Sequence, residues 1–286
     1  MRPRSARTAP IATPWRGLLG SARVAHHDAR CRLLKLRRWI ANSKTEPCAT
    51  EFVFVLCPPY SGSTLVHEIL CSSPAVSPNK DFGTREGQSL PEVRRLVDHA
   101  RRWSESYEYP WEQIRRVWMA YWEHSKPLLL EKSPPNLIRG RRIAEYFSPV
   151  RFIALMRDPY IQCEALMRRD KLTSRQAAER TLQCLRHQRR NLLGLRDIIV
   201  IRYEDLVRDP AGTATRLLRF LPELQHVDVN QTFSAHNQAN KALPIVDMNM
   251  GKIERMSSRD RRVVTDVFMP HESLLEGFGY ELRPGR

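Results

Sequence analysis

Between residues 57 and 64 the chain reads Cys-Pro-Pro-Tyr-Ser-Gly-Ser-Thr. An apolar run, Phe52 to Cys57, leads in, and a helix-compatible stretch, Leu65 to Leu70, leads out. A strand, a tight loop of small residues and a helix can cradle a phosphate. Successive backbone N–H groups form a concave anion site, and the helix N-terminus adds positive potential. Gly62 permits a close backbone approach, while Ser61, Ser63 and Thr64 add hydroxyl donors. The plainer alternative is a β-to-α turn capped by Ser or Thr. The G-x-x-x-x-G-K-[ST] pattern of triphosphate loops is not met, because Cys57 replaces the first glycine and Ser63 the phosphate-reaching lysine. That argues against triphosphate chemistry.

A second apolar run, Phe152 to Met156, ends in Arg157-Asp158-Pro159. An arginine at the carboxyl end of a parallel strand points into the crevice where such sheets bind ligands. Its planar fork suits a phosphate, with a surface salt bridge as the alternative. A third run leads into Ile201-Arg202-Tyr203-Glu204-Asp205-Leu206, where Glu204 and Asp205 read as helix-capping acids.

Taken together, these stretches resemble the PAPS-dependent sulfotransferases, PAPS being the sulfonate donor 3′-phosphoadenylyl sulfate. Tyr60 to Leu65 is similar to the family's 5′-phosphosulfate loop, usually written K/R-S-G-T-T. Phe152 to Pro159 resembles its 3′-phosphate motif, and Ile201 to Pro210 its R-Y-E-D-L-x-x-x-P segment. The style is closest to bacterial and tyrosylprotein/heparan-type members. The resemblance implies a P-loop-like fold and transfer of sulfonate to an acceptor hydroxyl by in-line displacement. It implies that Tyr60, Ser61, Gly62, Ser63 and Thr64 hold the phosphosulfate end, that Arg157 binds the 3′-phosphate and that Tyr203 touches the nucleotide. Two positions depart from the pattern: Tyr60 stands where the family has lysine or arginine, and Ala165 where it usually has serine. Arg169 falls where the tyrosylprotein enzymes carry a further 3′-phosphate arginine.

Such a transfer needs a base for the acceptor proton and cations at the leaving oxygen. For the base, Glu86 in Glu86-Gly87-Gln88 resembles bacterial members and is favoured. Asp81 is closer in raw spacing to the tyrosylprotein enzymes, and a solvated loop acid is the plain alternative for Glu86. For the cation absent at Tyr60, Lys132 is expected, because Glu131-Lys132-Ser133-Pro134 resembles the E-K-S/T-P segment of heparan sulfotransferases. A solvated strand-end lysine is the alternative, and Arg85 and Arg139 are further cations without motif support. No metal is required, and six cysteines without a Cys-x-x-Cys pair do not read as a zinc site.

The elements that must position these residues follow from periodicity. Strands over 52–57, 127–130, 151–156 and 197–201 lack polar alternation and read as buried on both faces. Helices are expected over 64–71, 91–103, 111–124, 136–146, 159–169, 174–193 and 210–221. Asp209-Pro210 supplies a cap and a proline at the first helical position, and Ser257-x-x-Asp260 opens a last helix. Strands separated by helices predict an α/β fold of three layers, a central parallel sheet flanked by helices. Trp103, Tyr107, Tyr109, Trp111, Trp118, Tyr121 and Trp122 crowd one region. They would either pack a helix on the core or stack a sugar or aromatic acceptor.

The chain has 286 residues and a net charge of +16. Residues 1–50 hold eleven lysines and arginines against two acids. This division predicts a basic extension over 1–50, and the resemblance implies one sulfotransferase-like P-loop domain over 51–286. Residues 1–14 read as disordered. From there Leu18, Ala22, Ala25, Ala29, Leu33, Leu36 and Ile40 step by three or four, surrounded by Arg30, Arg32, Lys35, Arg37 and Arg38. That is a basic amphipathic helix, either packed on the body, in peripheral contact with an anionic surface, or part of a transit peptide. No apolar run approaches the roughly 20 residues of a membrane span, so the cytoplasm is the default compartment and organelle import the alternative. With the excess charge in the tail, specific nucleic-acid binding is not expected. Rival readings are a kinase-like phosphate-loop enzyme, with Asp158 imitating a magnesium-holding acid, and a catalytically degenerate nucleotide- or polyanion-binding protein. The partner is a hydroxyl-bearing acceptor whose class the sequence leaves open.

Overall fold

The computed structural model describes residues 18–235 and 241–283; the segment 1–14, expected to be disordered, lies outside them. Five strands, β1 (Glu51–Leu56), β2 (Val76–Pro78), β3 (Leu128–Glu131), β4 (Val150–Met156) and β5 (Ile198–Arg202), form one sheet in the order β2-β3-β1-β4-β5. Every neighbouring pair is parallel. β1 is central, and the chain fills the sheet first on its β3 side and then on its β4 side. The crevice at the carboxyl end of β1 therefore lies at the switch of strand order, where such sheets bind ligands.

The strands are apolar throughout because both faces are covered. Phe52, Phe54 and Leu56 of β1 face a cluster built with Trp111 and Trp118 of α4 (Trp111–Met119) and with Phe147, which follows α5 (Gly140–Tyr146). Val53, Val55 and Cys57 alternate to the other side. There they meet Val66, Ile69 and Leu70 of α2 (Ser63–Cys71) and Leu217 of α9 (Pro210–Phe220). α6 (Pro159–Asp170), α7 (Ser174–Gly194) and α10 (Ser258–Phe268) share a third cluster around Tyr160, Leu182 and Phe268. Asp209 caps α9 and Ser257 caps α10, as their positions predict. Among the described residues, no helix is long and apolar enough to cross a membrane.

The helix expected over 111–124 ends at Met119, and four further differences from the sequence expectations stand out. The helix expected over 91–103 is α3 (Pro91–Leu96) and stops early; the irregular stretch that follows gives the carbonyls of Arg102, Ser104 and Tyr107 to the Arg139 guanidinium. The helix expected over 136–146 begins as a 3₁₀ turn, Pro134–Arg139, before α5. β2, the short hairpin of β6 (Phe233–Ala235) and β7 (Lys241–Leu243), and α8 (Tyr203–Arg208) are too short to show a period. Finally, α1 (Leu18–Lys44) forms as expected but packs through a different face. Cys31 and Leu34 are buried, and polar contacts pin that side to the body: Asp28 to Arg94 (2.6 Å), Arg38 to Glu123 (2.6 Å) and Asn42 to the Trp122 carbonyl (3.0 Å).

The aromatic crowd belongs to the core. Trp111, Trp118, Tyr121 and Trp122 are buried, Trp118 contacts Phe54 and Phe147, and the Trp122 indole donates to the Leu130 carbonyl at 3.0 Å. This removes those four rings as a platform for an acceptor. Trp118→Ala is expected to cost about 3–5 kcal/mol of stability by opening a large cavity; urea unfolding of the two proteins checks it.

Candidate active site

The loop after β1 ends in two residues with positive φ, Tyr60 (61°) and Gly62 (88°). This bend turns the backbone so that the N–H groups preceding α2 face the crevice. Among the described residues, the amides of Ser61, Gly62, Ser63 and Thr64 find no acceptor, whereas Leu65 and Val66 already donate to the Gly62 carbonyl. Four consecutive unpartnered amides at a helix N-terminus make an anion cradle. Gly62 is required twice over: its φ is left-handed, and a Cβ there would sit 2.6 Å from the Tyr203 ring. The Ser61 hydroxyl donates to the Pro58 carbonyl at 2.8 Å and so fixes the loop, and the buried Ser63 side chain hydrogen-bonds the Cys57 thiol. Tyr60 does not substitute for a cation. Its hydroxyl is held by Asp170, and burial with that bond keeps the phenol protonated.

Beside the cradle, Lys132 follows the end of β3. It is buried, donates to the Thr84 carbonyl at 2.6 Å and lies 3.7 Å from the Glu86 carboxylate. The two residues singled out for chemistry are thus brought together from segments 46 positions apart, whereas Asp81 is exposed. A buried polar cluster sets this geometry. Glu131, fully buried, accepts from Asn79 Nδ2 (2.7 Å), the Gly87 amide (3.0 Å) and Asn136 Nδ2 (3.2 Å). Burial pushes its carboxyl up from the usual range, and hydrogen bonds led by Ser133 oppose the shift. Gln88 is clamped in turn by Ser133 and Asn136. A Cβ on Gly87 would collide with Asn79, Glu131 and Trp118, which is the physical reason for glycine between Glu86 and Gln88.

Two cations here escaped the sequence reading. Lys80 is buried, bonds Ser89, and is pulled down to about 8 by burial, with Glu86 and Lys132 within electrostatic reach. It lies in the segment that contains both base candidates, so proximity to them was its one available signal. Lys252, half-buried, is likewise pulled down to about 8 by burial, with Arg157 adding to the shift. It sits in an irregular stretch where no period marks it.

Arg157 follows β4 and is buried. Its Nε and Nη2 donate to Asn249 Oδ1 (2.8 and 2.6 Å), and its Nη1 donates to the Tyr60 carbonyl (2.8 Å). The guanidinium lies 3.9 Å from the Tyr203 ring centroid. Burial disfavours its charge, and it is met by an amide, a carbonyl and an aromatic face rather than by a carboxylate. Two of its five N–H groups remain for a ligand. Arg169 is exposed and stands 5.3 Å from the Tyr60 ring, so both arginines border the same loop residue. Ala165 is buried within α6.

Other expectations need correction. Glu204 is not a helix-capping acid. It accepts from the Asp158 amide (2.9 Å), Asn249 Nδ2 (3.0 Å) and the Tyr280 hydroxyl (3.0 Å), joining three segments behind Arg157. Asp205 pairs with Arg208 at 2.7 Å. Asp158 caps α6 and pairs with Arg283 at 2.5 Å, a structural engagement that does not favour the magnesium-holding role. Arg85 is paired with Glu68, and Arg139 spends its donors on backbone carbonyls. Neither offers a further cation to the crevice.

Comparison with known proteins gives a consistent picture. The model of the sulfotransferase family matches residues 53–226. Among solved structures, sulfotransferase STF9 from Mycobacterium avium shares the fold with a TM-score of 0.57 at 14% identity, over 97% of this chain and 89% of that one. The sulfotransferase domain of the curacin biosynthetic pathway aligns with a TM-score of 0.51 at 18% identity, covering 83% of this chain and all of that one. The sulfotransferase domain of the Synechococcus PCC 7002 olefin synthase gives 0.51 at 20% identity, over 83% and 98%. A search of curated proteins finds no relative.

Glu131→Gln places a donor among donors, and the unmade bonds are expected to cost about 1–3 kcal/mol. Urea unfolding should show that loss, and amide hydrogen exchange should show faster opening of residues 84–88.

Proposed function

The chain belongs to the sulfotransferase family, and on that premise we propose that it moves a sulfonate group from 3′-phosphoadenylyl sulfate to the hydroxyl of an acceptor. The observation that carries this reading is the cradle of unpartnered amides at Ser61–Thr64 set beside the Lys132–Glu86 pair. The donor supplies a sulfonate already activated by its bond to phosphate. The amides of the loop, with Ser63 and Thr64, hold the phosphosulfate end. Arg157, with Tyr203 against its guanidinium and Arg169 and Lys252 nearby, receives the 3′-phosphate. Glu86 takes the proton from the acceptor hydroxyl as the new O–S bond forms. Lys132 and Lys80 offset the negative charge that gathers on the departing phosphate as the old S–O bond breaks. These side chains supply the positive charge that the loop lacks at Tyr60.

The burial of the cations suits this role. An unfilled cluster of desolvated positive groups is costly, and a polyanionic ligand relieves it. Stabilising charge that is fixed before the reaction is worth more than charge that must reorganise.

The test is transfer of labelled sulfonate from the donor, read as a labelled sulfate ester with an added phenol or sugar as acceptor and as free sulfate with water. Glu86→Gln is expected to slow turnover by about 10²–10⁴-fold with donor affinity nearly unchanged. Lys132→Met is expected to cost about 10²–10³-fold. Wild-type rates in both variants would refute the assignment.

A pH dependence follows from the two depressed lysines. Both are protonated below about pH 8 and lose charge above it. A bound anion raises their pKa values, so affinity for 3′-phosphoadenosine 5′-phosphate should fall as pH climbs through 8, by about tenfold near pH 9.5. Calorimetric titration should show the fall in the wild type and a flatter profile in Lys252→Met.

A further inference from the structure

α1 packs on the body through Cys31 and Leu34 and turns its other side to water. That outer side is the periodic apolar face, Ala22, Ala25, Ala29, Leu33, Leu36 and Ile40. Leu33 is 48% exposed, Leu36 51%, Ile40 38% and the adjoining Trp39 66%. At 100° per residue, Arg30 and Arg37 border this face on one side and Arg32 on the other. The one acid on the described helix, Asp28, is bound to Arg94. We propose that this face docks the protein on an anionic lipid bilayer.

The cross-section of the helix argues for that occupant. An apolar strip with cationic borders and an aromatic ring at its edge is how a helix lies in a membrane interface, strip toward the acyl chains and borders toward the headgroups. The strip also continues into a groove of about 640 Å³, where Leu36 and Trp39 meet Met119 and Ala120. Contiguous exposed apolar surface on a folded protein marks an interaction site. A second copy is disfavoured, because a two-fold interface sets each border near its own copy and would bring arginines together without acids to pair them. The polar contacts that pin the inner side, Arg38 to Glu123 and Asn42 to Trp122, leave the outer strip in place on a folded body rather than on a free peptide.

The test is flotation of the full chain with vesicles of phosphatidylcholine alone or with about 30% phosphatidylserine, anionic lipid being what the cationic borders address. At least tenfold stronger partition into the anionic vesicles is expected. Leu36→Glu with Trp39→Glu should lower that partition at least tenfold while leaving the unfolding midpoint unchanged. A second variant, Arg32→Glu with Arg37→Glu, should do the same without touching the apolar strip. No binding, equal binding to both vesicle types, or undiminished binding of the Leu36→Glu/Trp39→Glu protein would overturn the proposal. So would a stable dimer in sedimentation that this variant dissolves, or a saturable acidic protein partner that competes with the vesicles.

Discussion

The site depends on a buried carboxylate. Glu131 ends the strand beside β1 and is ringed by donors from Asn79, Gly87 and Asn136. In water those groups would cost nothing, but inside the protein each must be satisfied, so their positions are fixed jointly. The result is that the exit of β2, the loop carrying Glu86 and the turn after Lys132 cannot move independently. Glu204 performs the same service on the opposite side of the crevice, tying Asp158, Asn249 and Tyr280 behind Arg157. Two acids that do no chemistry therefore hold the residues that would.

Between these two anchors the protein gathers Lys80, Lys132, Arg157 and Lys252, with the Glu86 carboxylate 3.7 Å from Lys132. Burial disfavours the charge of Lys80, Arg157 and Lys252, and neighbouring cations add to the shift at the two lysines. A fold selected only for stability has no reason to collect them. A fold that must receive a multiply charged donor and a developing phosphate does, because positive groups held in a poorly solvated crevice act strongly on an anion. Tyr60 fits the same economy: with its side chain turned to Asp170, its backbone carbonyl still positions Arg157.

Much of this was legible in the sequence because it rests on local pattern. The uninterrupted apolar runs of β1 and β4 gave a parallel sheet, and Ser61-Gly62-Ser63-Thr64 and Arg157 could be placed at strand ends by that fact alone. Glu86 and Lys132 were each singled out by family resemblance, and their pairing is seen only in the structure, since nothing in either stretch specifies that they meet. What was not legible depends on long-range contact. The irregular stretch after α3 gives its carbonyls to Arg139 from a distant segment, and Glu204 looks like a capping acid until Asn249 and Tyr280 arrive beside it. Periodicity also found the apolar face of α1 but not its orientation, which is decided by ion pairs and side-chain amides with partners in other elements. Lys80 and Lys252 carry no pattern, and only burial distinguishes them from surface lysines.

The central claim is that the crevice reads a 3′-phosphate as well as a 5′-phosphate, and isothermal titration of the intact protein with 3′-phosphoadenosine 5′-phosphate and with adenosine 5′-phosphate tests it most directly. The account predicts a preference of about a hundredfold for the bisphosphate, equivalent to about 2.7 kcal/mol, and its disappearance in Arg157→Ala. Equal binding of the two nucleotides, or a preference that survives in Arg157→Ala, would contradict it.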